Sequence, residues 1–125
     1  MFIRSDNYKP FQILAISWLV FITIVSGVPD LKVPNVFPQA DKLVHIVIFA
    51  ILAFLLAGSI HKYIRHKKKI SQIILVLLLT TMFGFLDEWH QSTVIGRVSS
   101  QWDLLADVIG GFVGVILFSL VQSKR

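Results

Sequence analysis

The sequence predicts an all-α integral membrane protein: a four-helix bundle with both chain termini in the cytoplasm. Three observations support this prediction. The 125 residues are 55% hydrophobic, with a mean hydropathy of +0.76, which is more apolar than a water-soluble domain of this size. The apolar residues form four long blocks, with nearly all charged residues between these blocks or at their edges. Finally, Lys and Arg are abundant in alternate connections.

Each of the four apolar blocks is long enough to cross a membrane alone. They cover residues of about 11–27, 43–60, 70–86 and 104–121, close to the roughly 17 to 25 residues that a hydrocarbon core about 30 Å thick requires. The connection between the first two blocks contains Pro29, Pro34 and Pro38, which predict an ordered but irregular loop. We expect residues 1–125 to form a single transmembrane domain.

Positive charges predict the orientation of the chain. Most Lys and Arg residues lie at the amino end, in the second connection and at the carboxyl end: Arg4, Lys9, Lys62, Arg65, Lys67, Lys68, Lys69, Lys124 and Arg125. Lys32, Lys42 and Arg97 lie in the other two connections. Connections rich in Lys and Arg stay in the cytoplasm, so we expect a multi-pass protein of the cell membrane with both termini inside. Nucleic acid is not an expected partner, because the basic residues flank apolar blocks and do not line a water-exposed face.

Acidic residues have the opposite distribution. Asp6 is assigned to the cytoplasmic side, whereas the other acidic residues are assigned outside: Asp30, Asp41, Asp87, Glu88, Asp103 and Asp107. Acidic residues contribute little to topology, so this asymmetry needs another explanation. Most of these residues lie at helix ends. The sequence therefore predicts a polar cluster at the outer membrane face.

Helical spacing arranges the polar cluster in stripes. Asp41 and His45 are four residues apart at the start of the second helix, and Asp103 and Asp107 have the same spacing in the fourth. The segment DEWHQ, residues 87–91, ends the third helix with a similar stripe. The predicted ligand-binding residues are Asp41, Lys42, His45, Asp87, Glu88, Gln91, Arg97, Asp103 and Asp107.

The deeper groups of the polar cluster should face the bundle interior. A charge well inside hydrocarbon costs at least about 2.5 kcal/mol, so Glu88, Asp107 and His45 are expected to pair with one another or with Arg97. Arg97 is the expected counter-ion for Asp103, Asp107 or Glu88, because it is the only cation near the third and fourth helices on this side.

Several of these features also have a purely structural interpretation. Asp41 and Asp103 suit the amino ends of their helices, where capping is as acceptable a role as ligand binding. Gly110 and Gly114 form a GxxxG pair in the fourth helix, with Gly111 beside them. We expect this strip to pack inside the bundle, with a homodimer seam through Gly110 and Gly114 as the alternative.

The segment from Asp41 to Gly114 resembles the VanZ-like membrane proteins, some of which are associated with teicoplanin (glycopeptide) resistance. The resemblance rests on DKLVH in the second helix, DEWHQ in the third, Arg97 in the loop, and DLLAD followed by GGFVG in the fourth. The family often has Asn at the position of Asp107, so this chain carries an additional carboxylate. The resemblance implies a bacterial cell-envelope protein of about four helices and supplies no reaction.

The favoured functional hypothesis is non-catalytic. The polar cluster would bind an envelope ligand, such as a lipid-linked cell-wall intermediate, or alter how a glycopeptide reaches its target. Arg97 and Lys42 would hold phosphate or carboxylate groups. Trp89 and Trp102 would supply stacking surfaces, or simply belong to the aromatic belt at the membrane interface. A cluster of purely structural ion pairs is the remaining alternative.

The second hypothesis is a membrane hydrolase or transferase that acts on a lipid or its head group. Glu88 or His45 would act as general base and Arg97 would stabilise developing negative charge. A metal-dependent version would use Asp41, His45, Glu88 and His90, but the HExxH motif is absent and we expect no metal or other cofactor. Proton-coupled transport is disfavoured, because no polar path continues toward the cytoplasm.

Overall fold

The chain is an all-α membrane protein. The computed structural model describes residues 7–34 and 36–124, and these residues form four helices and no strand. The helices are α1 (Lys9–Ser26), α2 (Ala40–Ile64), α3 (Lys69–Ser92) and α4 (Gln101–Ser123). All four are long and apolar enough to cross a membrane, which confirms the predicted number of membrane-spanning helices. Arg4, Asp6 and Arg125, which contribute to the topology prediction, lie outside the described residues.

The helices extend beyond the apolar blocks. α3 continues to Ser92, so the whole DEWHQ segment is helical, and α2 runs from Ala40 to Ile64. Hydropathy marks the part of a helix that lies in hydrocarbon, whereas the helix itself continues while its backbone groups remain hydrogen-bonded. The polar stripes therefore lie on regular helix faces, which fixes their spacing.

Close backbone packing joins α2 to α4. A Cβ atom on Gly110 would lie 2.4 Å from the carbonyl oxygen of Ile46, and one on Gly114 would lie 2.1 Å from that of Ala50. The absence of side chains lets the two helices approach at these points. Packing inside the bundle is thus confirmed for the glycine strip. Both residues are buried against α2 of the same chain, and the alternative of a homodimer seam through Gly110 and Gly114 stays a prediction.

The described beginning and end of the chain lie at the same end of the bundle. Lys62 Nζ is 4.3 Å from the centre of the Tyr8 ring, and the side chains of Gln122 and His61 are 2.9 Å apart. We call this region the basic end. It contains the start of α1, the end of α2, the start of α3 and the end of α4. This placement agrees with the predicted topology, while the side of the membrane that it faces stays a prediction.

The opposite region, the acidic end, carries the carboxylates of the predicted cluster. These are Asp41, Asp87, Glu88, Asp103 and Asp107. Between the two ends the bundle is filled by apolar side chains, with Phe49, Leu52 and Val76 almost fully buried.

Two loops meet over the acidic end. Gly96, between α3 and α4, has a φ of 76°, and a Cβ atom there would lie 1.9 Å from Oδ1 of Asp30 in the loop between α1 and α2. Beside this contact, Arg97 Nη1 donates a hydrogen bond of 2.8 Å to the carbonyl oxygen of Leu31. Glycine is needed at position 96 for both reasons, the positive φ and the close approach. The first loop is irregular in its described part, as its prolines predict.

Candidate functional site

Lys42 ties two helices together at the acidic end. Its Nζ donates a hydrogen bond of 2.6 Å to Asp41 Oδ2, and a second one to Asp103 Oδ1. Asp103 is buried, with 8% of its side chain exposed, so an unpaired charge there would be costly. The ammonium group therefore neutralises a buried carboxylate and links the start of α2 to the start of α4.

Neither acidic residue at these helix starts is a helix cap. The cap of α4 is Ser100, whose Oγ accepts a hydrogen bond of 3.2 Å from the backbone nitrogen of Trp102. The cap of α2 is Gln39, which makes no hydrogen bond through its side chain. The cap positions predicted as an alternative for Asp41 and Asp103 are therefore taken by other residues, although the predicted placement of both carboxylates at helix amino ends is confirmed. Both carboxylates lie inside the first turn, where the helix dipole still favours them.

A second polar group joins α1 to α3. Ser26 Oγ donates to Asp87 Oδ1, and Gln91 Nε2 donates to Asp87 Oδ2 at 2.8 Å. All three side chains are buried. Asp87 and Gln91 thus lie on one helix face, as predicted, and their partner Ser26 comes from the end of α1. Both carboxylate oxygens of Asp87 are satisfied by neutral donors.

A third polar group lies deeper, between α2, α3 and α4. His45 Nδ1 is 2.8 Å from Oδ1 of Asp107, which is fully buried. Glu88 lies beside this pair, and a nitrogen or oxygen atom from each of the three side chains is within 4.8 Å of the others. The expected pairing is therefore present between His45 and Asp107, whereas Glu88 lies near them and bonds Ser99 and Ser100. We call His45, Glu88 and Asp107 the deep triad.

Glu88 is also anchored to the loop before α4. Its Oε2 accepts hydrogen bonds of 3.0 Å from Ser99 Oγ and from the backbone nitrogen of Ser100. These contacts hold one carboxylate oxygen in place. The other oxygen, Oε1, is buried and has no hydrogen-bond partner within residues 7–34 and 36–124. The same is true of Asp107 Oδ2.

Arg97 does not neutralise the acidic residues. Among the described residues it makes no ion pair with Asp103, Asp107 or Glu88, so the expected counter-ion role was wrong. The contact between the two loops draws Arg97 toward Leu31, and Lys42 takes the place beside Asp103. Arg97 Nε is buried and finds no acceptor in the part of the chain that the structure describes.

A cavity of about 350 Å³ opens beside these groups, between α1, α2, α3 and the two loops. Its polar lining includes Ser26, Lys32, Asp41, His45, Asp87, Gln91, Arg97 and Asp103. Its apolar lining includes Phe21, Ile22, Val25, Val44, Ile48 and Phe49. Of the predicted ligand-binding residues, Lys42, Glu88 and Asp107 are not in this lining. The cavity is therefore amphiphilic and carries charges of both signs.

Some partners in the site had not been singled out from the sequence. Ser26, Ser99 and Lys32 all take part in the contacts or cavity described above. Ser100 had a recognisable signal, since Ser100 and Asp103 match the S/T-x-x-D/E pattern that starts a helix. Ser26 had none, because a serine at the end of an apolar block gives no indication of its partner.

Two of the predicted roles fall outside the site. Trp89 and Trp102 are 65% and 70% exposed and do not line the 350 Å³ cavity, so they are placed as members of an aromatic belt would be.

The four residues considered from the sequence as metal ligands, Asp41, His45, Glu88 and His90, do not come together, so this set was wrong. The structure brings His45 and Glu88 together, but Asp41 pairs with Lys42, and His90 faces Gly27.

The comparison with protein families agrees with this arrangement. The VanZ/LLP1 family model matches residues 2–122, which is almost the whole chain. No match was found among curated proteins or among solved structures. The matched region contains α1, α2 and α3, all of α4 except Ser123, and every carboxylate of the acidic end. The chain therefore belongs to the VanZ/LLP1 family.

Proposed function

We propose that the cavity at the acidic end binds the anionic head group of an envelope lipid, of the class of lipid-linked cell-wall intermediates. Binding of such a lipid at the outer leaflet would let the protein modify susceptibility to glycopeptides. The lining supports an amphiphilic ligand, because apolar side chains of α1 and α2 face polar groups from the loops and helix ends. A purely polar solute would leave the apolar wall without a partner.

The proposal rests on the position and hydrogen bonding of Arg97. This residue lines the cavity, its Nη1 is fixed by the carbonyl oxygen of Leu31, and its Nε is buried without an acceptor among the described residues. A guanidinium held in this way is suited to phosphate or carboxylate, which accept two parallel hydrogen bonds. Lys32 in the same lining adds a second positive charge.

The carboxylates of the lining narrow the class of ligand. Asp41, Asp87 and Asp103 line the same cavity, and they would repel a head group that carries only negative charge. They would instead accept hydrogen bonds from hydroxyl or amino groups. The head group that fits best therefore combines a phosphate with sugar hydroxyls or amines.

The test compares lipid binding by two charge-removing variants. Arg97→Gln removes one of the two Lys and Arg side chains that line the cavity, and Lys68→Gln removes an exposed cation at the basic end as a matched control. We expect Arg97→Gln to weaken binding of a polyprenyl diphosphate that carries a sugar at least about tenfold in native mass spectrometry, because a charged hydrogen-bonding partner is lost. Uncharged polyprenol should bind both variants equally. In cells, teicoplanin susceptibility should change with Arg97→Gln and remain unchanged with Lys68→Gln. Equal diphosphate binding by both variants would contradict the proposal.

A catalytic version of this function is supported by one specific contact. His45 lines the cavity, and its Nδ1 is held 2.8 Å from the buried carboxylate of Asp107. A carboxylate that orients an imidazole in this way is a common arrangement for a general base. Release of the sugar phosphate by hydrolysis of the bound lipid, abolished by His45→Gln while binding persists, would favour a hydrolase. Binding without release of the sugar phosphate would favour the non-catalytic function.

A further inference from the structure

We propose that the deep triad, His45, Glu88 and Asp107, binds a divalent transition-metal cation inside the bundle. The three side chains come from α2, α3 and α4, so the site would be built from regular helix faces and not from a mobile loop. This inference does not depend on the lipid ligand proposed above. It assigns a role to two acidic residues that do not line the cavity.

The spacing of the deep triad suits a single ion. One nitrogen or oxygen atom from each residue lies within 4.8 Å of the others. Ligands at about 2.1 Å from a metal ion lie roughly 3 to 3.5 Å from one another, so small side-chain rotations would complete the coordination. Glu88 is already anchored through its Oε2 to Ser99 and Ser100, which leaves Oε1 as the free ligand atom.

Two carboxylate oxygens of the deep triad lack partners. Glu88 is 6% exposed and Asp107 is 0% exposed, yet Glu88 Oε1 and Asp107 Oδ2 accept no hydrogen bond from any residue that the structure describes. Buried polar atoms in proteins are nearly always hydrogen-bonded. Two such atoms in one group of three residues indicate a missing partner, and because both atoms are acceptors the partner must be positive or a donor.

The local charge balance favours a divalent ion over other partners. The nearby cations are engaged elsewhere: Lys42 bonds Asp41 and Asp103, and Arg97 bonds the carbonyl oxygen of Leu31. A protonated His45 would neutralise one of the two carboxylates of the triad and leave the other uncompensated in a low-dielectric site. A divalent cation would balance both carboxylates, with His45 as a neutral ligand.

The donor set indicates the class of metal. One imidazole nitrogen with two carboxylate oxygens suits Zn²⁺, Mn²⁺ or Fe²⁺. Mg²⁺ and Ca²⁺ prefer oxygen ligands alone. His45 also lines the cavity, which gives an ion a path to the triad.

The experiment measures metal binding by the full-length chain, purified in detergent without a polyhistidine tag and stripped with a chelator. We expect one equivalent of Zn²⁺ per chain in calorimetric titration. The variants His45→Gln, Glu88→Gln and Asp107→Asn should each weaken this binding at least about tenfold, since each removes one ligand. Asp30→Asn is the matched control: it removes an exposed carboxylate at the same end, outside the triad and outside the cavity lining, and should bind as the parent chain does.

A spectroscopic measurement keeps the test valid if a variant fails to fold. Mn²⁺ bound to the parent chain should show electron-spin coupling to a histidine nitrogen, and that coupling should vanish in His45→Gln when its helical circular dichroism is unchanged. Binding below one equivalent, or without nitrogen coupling, in the parent chain would overturn the proposal. So would equal weakening of Zn²⁺ binding by Asp30→Asn and the triad variants. Arg97→Gln should keep the metal, which separates this outcome from failure of the lipid proposal.

Discussion

At the basic end of the bundle, Lys67, Lys68 and Lys69 lie exposed in and beside a short connection, whereas at the acidic end Asp87 and Asp103 are buried and bonded. The two ends use charge for different purposes. Long Lys side chains can extend to water and bring their charge to the membrane surface without partners. Short carboxylates cannot, so each one requires a donor, a cation or another ligand nearby. The comparison shows that the carboxylates of Asp87 and Asp103 at the acidic end are buried and bonded within the bundle, whereas the lysines of the basic end form an exposed surface.

The largest effect is expected from an experiment that tests which side of the membrane each end faces. The chain has no cysteine, so Lys68→Cys and Ile95→Cys each create a unique thiol; Ile95 is 84% exposed at the acidic end. We expect an all-or-none result with a membrane-impermeant maleimide. Ile95→Cys should react in intact cells, whereas Lys68→Cys should react only after the cells have been permeabilised. The reverse pattern would place the acidic end in the cytoplasm and contradict an outer-leaflet site.

The next largest effect should come from removing Lys42, the half-buried cation that bonds the buried Asp103 at the acidic end. Lys42→Met leaves Asp103 buried beside α2 without its ammonium partner, while Asp41 is already more exposed. We expect a loss of about 3 kcal/mol in the free energy of unfolding, measured by denaturant titration in detergent. Lys67→Met is the control, because an exposed cation at the basic end should change stability by less than about 0.5 kcal/mol. Equal effects of the two variants would show that burial does not distinguish the ends.

A smaller effect should separate two serines at helix ends. Ser26→Ala removes a buried donor to Asp87 between α1 and α3, whereas Ser123→Ala removes an exposed hydrogen bond of 3.0 Å to the carbonyl oxygen of Leu120. We expect the first change to cost about 1 to 2 kcal/mol and the second less than about 0.5 kcal/mol. The same unfolding titration measures both. A neutral Ser26→Ala result would show that Gln91 alone satisfies Asp87.

The helices and their close packing were predictable because each depends on local sequence. An apolar run without charge specifies a span, and Gly110 with Gly114 specifies a close approach of one helix to another. The same reasoning gave the shared face of Asp87 and Gln91, which follows from helical spacing. These features do not depend on the path of any loop.

The cation that pairs with Asp103 was not predictable, because this pairing depends on contacts between elements that are distant in the sequence. Arg97 follows Gly96 in a loop, and the path of that loop is set by the distant Asp30, which no local pattern connects to it. Lys42 immediately follows Asp41 on a helix, yet nothing in its sequence position shows that Asp103 lies across from it. Pairing between elements depends on how the helices assemble. The residues of the site could therefore be predicted better than their partners.

The glycine contacts of α4 have a mechanical consequence. Because Gly110 and Gly114 let α2 and α4 touch at backbone distance, and Lys42 and His45 each bond a carboxylate of α4 at the acidic end, these two helices form one stiff unit along much of their length. Separating α2 from α4 to admit a ligand would therefore have a high free-energy cost. Any widening of the cavity must come from a tilt of α1 or a shift of the two loops. Adaptation to ligands of different size therefore depends on α1 and these loops, which pack less closely than α2 and α4.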